Sequence, residues 1–243
     1  MIKQKRIEDY GISIGQLPKG KLNKITDVEG IRVGHCTIDT EESKTGVTVI
    51  LPMKENIYTN KLVAASYVLN GFGKTTGLMQ IDELGSLESI IALTNTLNVG
   101  LVYDAVVEYM IEQCKRENVE LQSVNPVVCE CNDSYLNNIQ LRAVKKEHVF
   151  KAIEDACVDF KEGDVGAGKV MSCHQLKGGI GSASRIVKID DKDYTVGVLV
   201  LSNHGRLEDL IINGDRIGSR ISKSKDIKNY SDKGSIISKI GRA

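Results

Sequence analysis

Apolar residues change their period along the chain, and the changes mark its elements. The runs "VTVIL" (47–51), "SIIALT" (89–94), "SRIVKI" (184–189) and "YTVGVLVLS" (194–202) are short, β-branched and bounded by glycine or polar residues, which predicts strands. Between the second and third, "NVGLVYDAVVEYMIEQCKREN" (98–118) puts Val102, Ala105, Val106, Tyr109 and Met110 on one face at helical spacing, with Asn98 as its expected cap. A second helix is predicted from Lys145 to about Phe160 on Val149, Ala152, Ile153, Ala156 and Phe160, stopped by the glycines of "KEGDVGAG". Residues 215–234, rich in Ser, Lys, Asp and Gly, read as an exposed loop. The class is mixed α/β in one domain, residues 1–243.

Composition narrows the function classes. Lys+Arg and Asp+Glu both number 32, so nothing pulls the whole surface toward nucleic acid or an anionic membrane. The late bias, eight basic against three acidic residues over 215–243, is the pattern of a solvated loop. No 18 apolar residues run together, and the basic N-terminus has no apolar stretch behind it, so a cytoplasmic protein without a secretory signal is expected. The six cysteines are irregularly spaced without any C-x-x-C and read as free thiols, several buried.

Glycine reaches 23 residues, clustered at 69–77, 163–169 and 177–184. "GFGKTTG" resembles a phosphate loop, but that pattern needs glycine where Val68 stands. "GGIGSAS" has Ser184 where a dinucleotide fingerprint wants glycine or alanine, and a strand-like run follows it, so it reads as a strand-entry turn. The pairs His35-Cys36, Cys129-x-Cys131 and Cys173-His174 have zinc-type donors. Adjacent residues on a strand point to opposite faces, however, so neither His-Cys pair readily offers both ligands to one ion; buried thiols and ordinary polar histidines are the plainer reading, and no metal site and no cofactor are expected.

Several segments together resemble the DmpA-like autoprocessing aminopeptidases (the L-aminopeptidase/D-esterase type). They are "RIEDYGISIGQLPKGKLNKITDVEGIRVGHCTI" (6–38), "TGVTVILP" (45–52), "ALTNTLNVGLVYDAV" (92–106), "PVVCECNDSYLNNI" (126–139), "GDVGAGKVMSCHQLKGGIGSASR" (163–185), "YTVGVLVLSNHGR" (194–206) and the terminal "GSII", in that order over nearly the whole chain. The resemblance implies a four-layer αββα sandwich of the DmpA/ArgJ-like type, self-cleaved before a serine. That bond is Gly234-Ser235 here, dividing a larger chain, 1–234, from a smaller one, 235–243. Ser235 becomes an N-terminal nucleophile, and Asn203 is the implied oxyanion donor. A second donor aligns near Asn132, with Tyr135 as its alternative; read without the resemblance, Asn203 shapes the turn at Gly205 and Asn132 opens a turn. The implied activity is release of N-terminal residues from small peptides, amino-acid amides or esters, by a homo-oligomer. Lys169 departs from the small residue common in the family.

In the family the smaller chain runs well past the cleaved bond, whereas nine residues follow Gly234 here. "SIISKIGRA" starts as the expected strand and then loses its apolar run to Lys239, Gly241 and Arg242. A truncated, weakly active or inactive chain is therefore expected. The alternative is a non-catalytic remnant or subunit that needs a complementary chain.

Overall fold

The computed structural model describes residues 5–224 and 234–242. Among these residues the strands are β1 (Arg32–Asp39), β2 (Lys44–Leu51), β3 (Leu62–Val63), β4 (Ser86–Leu87), β5 (Ile91–Asn95), β6 (Val127–Cys131), β7 (Ser172–Cys173), β8 (Leu176–Lys177), β9 (Gly179–Ile189), β10 (Lys192–Asn203) and β11 (Ser235–Arg242). The helices are α1 (Leu78–Leu84), α2 (Val99–Arg116), α3 (Lys146–Glu154) and α4 (Ile217–Ser224).

The first sheet has the order β1-β2-β5-β6, antiparallel except for the parallel β5–β6 pair that α2 connects. All of β5 and β6 and nearly all of β2 are buried, because both sheet faces are covered. That double coverage is why apolar residues on these strands are not confined to alternate positions, as in Val49-Ile50-Leu51 and Val127-Val128. On one face lie α2, through Val102, Ala105, Val106 and Met110, and α3, through Val149 and Ala152. Helix α3 sits so close to β1 that any side chain at Gly34 would collide with the Ala152 carbonyl oxygen.

The second sheet, β11-β10-β9, covers the other face at β6, where the Cys131 thiol donates to the Leu201 carbonyl at 3.8 Å. It alternates. Gly197, Leu199 and Leu201 of β10 turn inward with Ile237 and Lys239 of β11, while Ile236 and Ile240 face out, 48% and 62% exposed. Helices, sheet and sheet thus stack in the sequence that the αββα expectation requires, and the class is mixed α/β as read.

Four expectations need correction. Asn98 precedes α2, but its side chain donates to Asn95 Oδ1 at 2.7 Å and caps no backbone amide. Helix α3 ends at Glu154, well before Phe160 and the glycines, because Cys157 exchanges two backbone hydrogen bonds with Val33 and draws the chain onto β1. The tertiary pairing outweighs the helical period. Part of the 215–234 loop is helix α4, where Ile217 and Ile221 recur at i, i+4 and the helix docks on the turn Leu207–Asp209; residues 225–233 of that reading lie outside the described residues. Strand β11 also continues through Lys239 and Gly241 to Arg242, because its main-chain ladder with β10 does not depend on the side chains.

Candidate active site

The end of β10 and the start of β11 meet in register, with Asn203 directly opposite Ser235. Directly opposed residues of an antiparallel pair lie about 5 Å apart and share a sheet face. That face is the inward one, since Asn203 continues the alternation of Leu199 and Leu201. Gly234 lies against the neighbouring main chain, and a methyl group there would sit 2.5 Å from His204 Cα. Only glycine permits that approach.

Asn203 is held at both ends of its amide. Its Oδ1 accepts from the Ser172 amide at 3.0 Å, and its Nδ2 donates to the Asn132 carbonyl at 2.7 Å. Nδ2 carries two hydrogens, so one remains for a further acceptor. Asn132 reaches this cluster through its main chain, while its side-chain Oδ1 accepts from the Ser134 amide at 2.9 Å. Its amide therefore closes the turn that a plain reading gives it. Tyr135 is 67% exposed.

The turn itself is anchored from below. Asp133 accepts from the Thr45 hydroxyl at 2.6 Å and from Asn95 Nδ2 at 3.2 Å, and burial pushes its carboxyl above the usual aspartate range. Lys169 pairs with Asp39 at 2.7 Å and Asp164 at 2.9 Å, which ties the two carboxylates into one ion-pair network.

A cavity of about 760 Å³ opens inward of Ser235. Ile237 and Lys239 of β11, Cys129 and Glu130 of β6, and the imidazoles of His174 and His204 line it, beneath the segment 65–73. Burial pushes the Cys129 thiol up to about 11 and draws the Lys239 ammonium below the usual lysine value. Glu130 is buried, and its carboxylate accepts from the Thr96 hydroxyl and, at 3.3 Å, from the Lys74 amide. Glu130 and Lys239 were not among the candidates read from the sequence. The signal for Glu130 was a single charge inside the apolar run "VVCEC".

Residues 23–240 match the family described as peptidase family S58. The chain is 38% identical over 226 residues to the beta-peptidyl aminopeptidase BapA of Sphingosinicella xenopeptidilytica, covering 89% of this chain and 56% of that protein. The PH0078 protein of Pyrococcus horikoshii OT3 superposes with a TM-score of 0.88 at 49% identity, over 97% of this chain and 67% of that one. The L-aminopeptidase D-Ala-esterase/amidase of Ochrobactrum anthropi, described as a variant of the Ntn hydrolase fold, superposes at 0.87 and 30% identity, over 98% and 67%. The chain thus spans a little over half the length of its curated relative.

Proposed function

Because the chain belongs to peptidase family S58, we propose that it is built around an N-terminal serine nucleophile that releases amino-terminal residues from small peptides, amino-acid amides or esters. The observation that carries this reading is the register that sets Ser235 against Asn203 at the mouth of the cavity.

In the self-cleavage step the Ser235 hydroxyl attacks the Gly234 carbonyl, and the tetrahedral oxyanion receives the second N–H of Asn203. Collapse passes the hydroxyl proton to the departing nitrogen and breaks the C–N bond, leaving an ester on Ser235 Oγ and a new α-amine on the same residue; water then hydrolyses the ester and frees the Gly234 carboxylate. The amine has an ordinary value of about 7.7–8.0, so at neutral pH a fraction is unprotonated and takes the hydroxyl proton when Ser235 attacks a substrate carbonyl. Glu130, a carboxylate in the same cavity, pairs with the substrate's terminal ammonium and so selects amino ends.

Asn132 contributes through its carbonyl, which aims the Asn203 amide. All six cysteines are free thiols, which fits a reducing compartment such as the cytoplasm. A second reading, a subunit that acts with a complementary chain, is favoured by β11, which among the described residues is the edge of its sheet and whose outward isoleucines are exposed. The test is amine release from an amino-acid p-nitroanilide by the wild type and Ser235→Ala. Loss of release in the variant supports the nucleophile, and equal release in both refutes it.

A further inference from the structure

Beside the proposed nucleophile lies a group of side chains that the hydrolase reading does not use. The Cys173 thiol and one nitrogen each of His174 and His204 lie within 4.8 Å of one another. Alternation along a strand would turn Cys173 and His174 apart, but β7 ends at Cys173. His174 and Gln175 form the turn to β8 with φ of +50° and +58°, so the His174 side chain comes round to the side of its neighbour. His204, the residue after β10, completes the group from the opposite strand.

We propose that Cys173, His174 and His204 form a binding site for a zinc-class divalent cation, with a fourth coordination position open to the cavity.

The donor set is one thiolate and two imidazoles, which suits zinc and its substitute cobalt(II). Bond lengths of about 2.3 Å to sulfur and about 2.0–2.1 Å to nitrogen put tetrahedral ligand atoms roughly 3.5 Å apart. Cys173 Sγ and His204 Nδ1 are already 3.9 Å apart, so small side-chain rotations close the shell. The His174 ring is oriented from behind: its Nδ1–H donates to the Arg206 carbonyl at 2.9 Å, which leaves the Nε2 lone pair for a metal. Gly205 makes that position possible, since a methyl group there would lie 2.6 Å from both Nδ1 and Cε1 of His174. Both imidazoles line the 760 Å³ cavity, so water or a substrate atom has access to the fourth position. Binding releases the Cys173 proton to solvent and changes no oxidation state.

Gly234 packs on His204, so a cation held by His204 stiffens the backbone beside the bond that Ser235 attacks. Zinc is therefore expected to slow self-cleavage reversibly. That consequence rests on the proposed function; the binding does not, and it is measured separately on uncut Ser235→Ala protein.

Cobalt(II) titration should give a thiolate-to-metal charge-transfer band and intense tetrahedral d–d bands, reversed by zinc. The charge-transfer band should vanish in Cys173→Ser, persist in Cys157→Ser, whose thiol is exposed elsewhere, and weaken in His174→Gln. Gly205→Ala should lower zinc affinity about 10–100-fold through the displaced ring. A band that survives Cys173→Ser, or no band in the Ser235→Ala protein, overturns the site. Unchanged zinc affinity in Gly205→Ala removes His174 from it and overturns the three-ligand assignment.

Discussion

The two sheets are built to different rules. The first is covered on both faces over most of its area, so β2, β5 and β6 are buried almost throughout and most of their side chains serve packing. The second presents one face to the core and the other outward, and every residue proposed for chemistry on it, Asn203 and Ser235, stands at the end where its inward face runs out into the cavity. Rigid packing supplies position, and the margin where packing stops supplies reactivity. Glu130 joins them from the first sheet at the point where β6 reaches the same cavity.

The largest expected effect probes the closed sheet. Leu93 is wholly buried in β5, and Leu93→Ala should cost about 2–5 kcal/mol in urea unfolding; a loss under about 1 kcal/mol would mean that this sheet is not the close-packed half. Next comes Asn203→Ala, which should slow cleavage at Gly234-Ser235 by about 10²–10³ while leaving the unfolding midpoint within about 1 kcal/mol. A comparable rate in the variant would remove the donor role.

The third effect is a pH dependence in the closed sheet. Burial pushes the His35 imidazole down to about 4, and its neutral ring bridges Thr48 Oγ1 and the Lys161 carbonyl, each at 2.9 Å. Because this value lies below the unfolded 6.5, the unfolded chain takes up the proton first as pH falls. The His35 contribution is complete above about 6.5, declines between 6.5 and about 4, and levels off below. It amounts to about 3 kcal/mol, read as the extra fall in urea midpoint of the wild type relative to His35→Gln over that window. Parallel midpoints in the two proteins would contradict it. Last, Ile240→Ala on the outward face of β11 should change stability by less than about 0.5 kcal/mol, a result that separates the two sheets most simply when set beside Leu93→Ala.

Much of this arrangement was legible from local pattern. The runs at 47–51, 184–189 and 194–202 fall in β2, β9 and β10, the run at 89–94 enters β5 at Ile91, and the helical face of Val102, Ala105, Val106 and Met110 is buried in α2. Periodicity reports these correctly because each element's own burial sets it. It failed where a distant partner decides. The Val33–Cys157 bridge ends α3 early, and the docking of α4 on Leu207–Asp209 orders part of an expected loop.

The site divides the same way. Ser235, Asn203 and Asn132 came from family resemblance, and their meeting depends on a strand register that no spacing rule encodes. The cluster at Cys173 was set aside on strand alternation, a rule that lapses at the left-handed turn of His174 and Gln175. Two successive left-handed residues are not announced by a His-Gln pair, since glycine and asparagine are the usual occupants of such turns.

The central claim is that Ser235, held against Asn203, attacks the carbonyl before it, and denaturing mass spectrometry of the purified protein reads this directly. The account predicts a mass ending at Gly234 together with the released peptide beginning at Ser235, and a single uncut mass for Ser235→Ala. A wild-type chain that stays uncut after prolonged incubation with a metal chelator at neutral pH would contradict it.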